Sequence, residues 1–174
     1  PSIVIRVAPH SINQSNKVSL TVSSIRRNEA SPVSNVKSLS YVDSVVAKNK
    51  AIKNGFNDAL LLNTKGNISC ATSSNVFVVQ GDFLITPPAH EGVLLGVTRS
   101  IIIENVASVN LKMIEQSVKP EIDSFDEVFI TNVVSGITSV SSIDGIDIGS
   151  GSNEIANKFL SIYNEIILSE EFEI

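Results

Sequence analysis

The clearest chemistry in the chain lies between Gly92 and Asn105, in GVLLGVTRSIIIEN. A glycine-bearing turn, Gly96-Val97-Thr98, runs into an apolar segment of helical length, Ser100 to Val109, so the free N–H groups of a helix start face a place where glycine admits a ligand closely. Such a turn is an anion site, best suited to a phosphate. Thr98 can cap the helix or donate its hydroxyl to the same anion, and Arg99 adds a fixed positive charge beside it. Taken alone, the pattern also fits the start of an ordinary buried helix. Cys70 is the other reactive side chain; with His90 as base it could act as a nucleophile, and the plainer reading is a small apolar filler. One cysteine and two separated histidines, His10 and His90, allow no internal disulfide and cannot assemble a zinc cage, so no metal is expected.

The frame that must hold these groups is bounded by composition. With 174 residues, 43% of them hydrophobic and 18% charged, the chain can bury one core, and a single domain over 1–174 is expected. A net charge of -5, with no basic run interleaved with aromatics, argues against a nucleic-acid partner. The apolar runs fall short of a membrane span and PSIVIRVAPH lacks the pattern of a secretory leader, so a cytoplasmic protein without a membrane partner is the expectation. The chain begins with Pro1 and its only methionine is Met113, which reads as a piece of something longer.

Alternation predicts strands over Ser2–Val7 and Val18–Ser23, separated by the polar stretch HSINQSNK. After RRNEASPVSN and VKSLSY, a helical pattern carries Val42, Val45, Val46 and Ile52 and stops at Gly55. Ala59–Leu62, Ile68–Ala71, Val76–Val79 and Phe83–Thr86 read as an antiparallel meander, with turn chemistry at Asn63–Asn67, Ser73–Asn75 and Gln80–Asp82. A strand over Leu111–Glu115, a helical turn after Pro120, a buried strand over Glu127–Thr131 and a loop over Asn132–Gly136 follow. Then comes a hairpin, Ile137–Ile143 with Ile146–Ile148, about Asp144-Gly145. Asn153–Phe172 is amphipathic, with Ile155, Phe159, Ile162 and Ile166 on one face. The class is α+β.

Three stretches fall in a specific order: VKSLSYVDSVVAKNKAIKNGFNDALLLN, GNISCATSSNVFVV and TPPAHEGVLLGVTR, followed by DEVFITN and ITSVSSIDG. Together they resemble the larger C-terminal domain of the class IV aminotransferases. These are fold-type IV pyridoxal phosphate enzymes that include branched-chain and D-amino-acid aminotransferases and 4-amino-4-deoxychorismate lyase. The resemblance covers nearly the whole chain and implies a mixed, mostly antiparallel, barrel-like sheet with packed helices. It also implies pyridoxal 5'-phosphate as cofactor, small amino and 2-oxo acids as substrates, and a homodimer.

Matched residue by residue, the resemblance makes Lys37 the lysine that forms the Schiff base with the cofactor and carries the catalytic proton. Tyr41 stands where several relatives have a tyrosine near the cofactor's phenolic oxygen, a core aromatic being the alternative. Gly96, Val97 and Thr98 match the phosphate cup, and Asn75 the family's turn asparagine, read as structural. Arg26 and Arg27 precede Lys37 at a distance suited to phosphate charge, or are simply exposed. Cys70 replaces the glutamate that pairs with the pyridine nitrogen, and a thiol stabilises a pyridinium less than a carboxylate does. Val133 replaces a phosphate-binding threonine, and Asn132-Val133 leans toward the lyases. The family's smaller N-terminal domain is expected to be absent from this chain, which starts at Pro1. Three readings follow: an aminotransferase working through Lys37, impaired by Cys70; a 4-amino-4-deoxychorismate lyase, which forms 4-aminobenzoate; or a non-catalytic descendant that binds no cofactor.

Overall fold

In Lys17–Val22 every second residue is apolar, and that side is the core: Leu20 is fully buried, with Val18 and Val22 packed against the same cluster. This strand, β1, lies inside the sheet and pairs in parallel with β2 (Asp58–Leu62) on one flank and β8 (Gly136–Ile143) on the other. The structure, a computed structural model, describes residues 3–5, 7 and 17–169. The strand predicted over Ser2–Val7 lies partly outside those residues. Ile3, Val4, Ile5 and Val7 are exposed and in no strand, because no described strand gives them a partner. HSINQSN, with His10, lies outside the described residues.

The remaining strands are β3 (Ile68–Ala71), β4 (Asn75–Gln80), β5 (Phe83–Thr86), β6 (Lys112–Glu115), β7 (Glu127–Asn132) and β9 (Ile146–Asp147). The order is β3-β2-β1-β8-β7-β4-β5-β6, with β9 on β8. Antiparallel pairing dominates; the parallel pairs are β1 with β2, β1 with β8, and β5 with β6. The expected single meander over residues 59–86 is corrected. β2–β3 and β4–β5 are two separate hairpins, because β4 takes β7 as its other partner, Phe77 opposite Phe129, while β3 ends the sheet. β3 nevertheless packs on β4, so the sheet curls on itself like a barrel wall. Its inner face is one apolar cluster built around Leu20, Leu60, Ile68, Val76, Val128 and Ile143.

Three helices cover the outer face. α1 (Val42–Lys53) lays Ala47 and Ala51 against Ala59, Leu61 and Cys70. α2 (Val97–Glu104) and α3 (Glu154–Ser169) cover Phe77 and Phe129, which stack at 5.1 Å with Phe159 tilted beside them at 5.8 Å. α2 starts earlier than predicted, at Val97 after extended Gly96, and stops at Asn105, whose backbone and side-chain N–H groups both donate to Ile101 O. Residues Val106–Val109 form a separate 3-10 turn. α3 buries Ala156, Phe159 and Tyr163; the end of its predicted span, Phe172, lies outside the described residues. The turn at Asp144 is as predicted, with Asp144 at φ 52 and its carboxylate accepting from Thr21 Oγ1 (2.6 Å) and Val22 N (3.0 Å).

Candidate active site

A cleft of about 670 Å³ opens where the β3–β4 turn, the N-terminus of α2 and the segment before α1 meet. Lys37, Tyr41, Cys70, Gly96, Val97, Thr98, Asn132 and Val133 all line it, as do Asn75, Arg26 and Arg27. Residues scattered over the chain therefore share one cavity. Pro32–Asn35 forms a 3-10 turn, Lys37 follows it in irregular chain, and its side chain is exposed to the cleft.

Tyr41 caps the start of α1 by position and donates its hydroxyl to Thr72 O at 2.8 Å. Burial pushes its phenol above the ordinary range, and the neighbouring Cys70 adds to the shift, so Tyr41 stays a donor at neutral pH. Burial likewise pushes the Cys70 thiol up, outweighing the pull of the Arg27 charge, and the side chain is a neutral thiol at pH 7. His90 stands outside the cleft, 71% exposed and 3.6 Å from Glu91. The Cys70–His90 pair is thus not assembled: the thiol is buried and protonated, and its supposed base faces elsewhere.

Gly96 is extended, at φ -77 and ψ 151, so its conformation does not demand glycine. Its packing does. A Cβ there would lie 2.6 Å from Asn75 Oδ1, while Asn75 Nδ2 donates to Leu94 O at 2.8 Å. Asn75 is therefore the clamp that sets the turn against β4. Thr98 is buried at the first turn of α2, and no side chain caps the helix, so the first N–H groups stay available to a ligand. Arg99 departs from expectation. It is buried, lies outside the cleft lining, and gives its guanidinium to Pro87 O and Glu115 instead of to the anion position. Its place on the buried side of α2 turns it away from the cleft.

Asn132 is held by a donor bond to Ser74 Oγ at 2.8 Å and accepts from Val134 N and Ser135 N, which fixes the β7–β8 turn that exposes Val133. Thr131, one residue earlier and opposite Asn75 in the β4–β7 register, lines the cleft with a buried hydroxyl that has no partner. Sequence reading missed Thr131, because a threonine in a buried strand reads as a β-former. It also missed Glu91, which is buried and accepts from Asn63, Asn67 and Ser117, since an acidic residue in a loop reads as solvated. Among the described residues no group of acidic, His and Cys side chains could hold a metal, and no helix is long and apolar enough to cross a membrane.

Residues 1–143 match the amino-transferase class IV family. The chain belongs to that family. It is 31% identical over 157 residues to the "Probable branched-chain-amino-acid aminotransferase" of Synechocystis, a match that covers 88% of this chain and 51% of the relative. Among solved structures, the "Putative 4-amino-4-deoxychorismate lyase" of Legionella pneumophila superposes with a TM-score of 0.85 at 30% identity, over 92% of this chain and 59% of that one. The branched-chain amino acid aminotransferase of Thermobaculum terrenum, in its PLP form, gives 0.85 at 29%, over 96% and 56%. The class IV chain therefore spans about half the length of the curated relatives it matches. The α+β, barrel-like class IV fold expected from the sequence is the fold observed.

Proposed function

We propose that this chain is the pyridoxal phosphate-binding domain of a class IV enzyme that transfers an amino group between an amino acid and a 2-oxo acid, with Lys37 as its catalytic amine. The observation that carries the reading is that Lys37 and the uncapped start of α2 open into the same cleft. The residues fit a phosphorylated ligand. The helix start offers unpaired N–H groups, and the buried Thr131 hydroxyl beside it lacks a partner.

In this reading the N–H groups of Val97 and Thr98 hold the phosphate, favoured by the helix dipole. Lys37 would hold the cofactor at its carbonyl carbon, and its amine, when free, would carry the proton at the substrate α-carbon. Bound there, pyridoxal phosphate withdraws electrons and weakens the bonds at that carbon. Tyr41, fixed by Thr72, orients the ring. Cys70 stands where the family glutamate meets the ring nitrogen, and a neutral thiol brings no charge there.

A second reading, elimination of pyruvate from aminodeoxychorismate, is supported by the Legionella neighbour's description and by Asn132-Val133. The remaining part of the proposal is assembly. Leu39, Val42, Val97, Val133 and Val134 are exposed apolar side chains at or near the cleft mouth, suited to cover by the family's second domain or by a second copy in a homodimer.

Adding pyridoxal phosphate to the purified chain tests the core of the reading. Visible absorbance is expected in the wild type and not in Lys37→Ala. A folded chain that stays colourless overturns it. With colour established, formation of a 2-oxo acid or of 4-aminobenzoate separates the two activities.

A further inference from the structure

Arg27 reaches both halves of the cleft. Its Nε donates to Gly92 O at 2.9 Å, in the loop that leads to the Gly96 turn. Its Nη2 donates to Ser34 O at 2.6 Å, in the 3-10 turn directly before Lys37. The arginine itself is fixed to the sheet. Its backbone N–H donates to Leu62 O at 2.9 Å, pairing it with the end of β2, and the neighbouring Glu29 carboxylate accepts from Thr64 Oγ1 at 2.7 Å. The fit is close: Gly92 sits at φ 82, and a Cβ there would lie 3.0 Å from Glu29 Cα and 3.1 Å from Arg27 Cγ.

Each loop holds only one short 3-10 turn, Pro32–Asn35 and Ala89–Glu91, and Asn75 and Glu91 tie the second loop to the sheet without linking it to the first. The segment carrying Lys37 and the segment carrying Gly96 are remote in sequence, and the guanidinium is a rigid planar fork that can serve two carbonyls at once. We infer that Arg27 is a positioning residue: it fixes the separation between the Lys37 amine and the α2 anion turn, so that one phosphorylated aldehyde engages both. The benefit is one of effective concentration, because the second contact forms within a complex already made. The inference rests on the proposed pyridoxal phosphate reading.

Three probes separate the possible roles. Pyridoxal phosphate uses both anchors, pyridoxal uses only the amine, and pyridoxine 5'-phosphate uses only the anion turn. Affinities are measured for wild type, Arg27→Gln and Arg27→Lys, with thermal midpoints to monitor folding. The wild type should bind pyridoxal phosphate far more tightly than either single-anchor probe. Both variants should lose about tenfold or more for pyridoxal phosphate, roughly 1.4 kcal/mol, with the two single-anchor affinities unchanged. Lysine does not rescue, because a point charge cannot bridge two carbonyls.

Other patterns overturn the inference. Parallel loss for all three probes means that Arg27 only supports the fold. Loss confined to the two phosphorylated probes makes it a direct phosphate ligand. Wild-type behaviour of Arg27→Lys means that charge alone matters. A wild type with no advantage for pyridoxal phosphate over the single-anchor probes overturns the two-anchor reading itself, and the inference with it.

Discussion

Gly96 is glycine for a reason found in another strand. The side-chain oxygen Oδ1 of Asn75 occupies the space a Cβ would take, at 2.6 Å. Gly96→Ala should therefore cost about 1–3 kcal/mol of stability through displaced packing, read as a lower urea midpoint at unchanged slope. Asn75→Ser in the same chain should recover part of the loss, since the obstructing oxygen is removed. An undiminished midpoint in the single variant would show that Asn75 yields freely. The turn was legible in the sequence as glycine before a helix, but its cause was not, because local pattern carries no information about which distant side chain lies beneath. The same holds for Arg99. Beside the turn in sequence, it is carried by the helical repeat to the buried side of α2, where Nη2 donates to Glu115 and to Pro87 O.

At the scale of elements, the loop between β5 and α2 is what brings the anion turn to the cleft, and Glu91 anchors it. The carboxylate is buried and accepts from Asn63 and Asn67 in the β2–β3 turn and from Ser117 after β6. Burial pushes its pKa up, but the hydrogen bonds from Ser117, Asn67 and Asn63, with the nearby His90, prevail and hold it below the ordinary carboxylate range near 4.5. A pKa lowered on folding gives stability that is fully present above the unfolded value and disappears as pH falls through the folded one. Acid should thus loosen this loop. Glu91→Gln should cost about 1–3 kcal/mol at neutral pH, since its amide nitrogen meets donors instead of accepting from them, and should flatten the decline in thermal midpoint below pH 5. A variant whose acid limb parallels that of the wild type would remove Glu91 as the source. Strand and helix identities were readable from period alone, as in β1 and α3. The placement of β4 beside β7 was not, because pairing between remote segments leaves no trace in local alternation.

At the scale of the whole molecule, the residues proposed for chemistry sit on the rim of one curled sheet, in turns, strand ends and a helix start, and the buried apolar clusters meet the cleft through Leu61, Cys70 and Ala71. This division lets turn residues such as Ser73 and Val133 vary in chemistry while the wall stays intact. The first described strand has a further consequence. β1 is held between β2 and β8, and the hydrogen bonds to β8 span nearly the entire described chain, Leu20 lying opposite Ile143. During synthesis β1 must wait, with one edge bare, until β8 has emerged. Such long-range closure makes folding slow, on the order of milliseconds to seconds. Refolding from urea should show that slow phase, and a chain ended at Ser135 should give no cooperative unfolding transition. The exposed interval is when a growing chain is most vulnerable to pairing with the wrong neighbour.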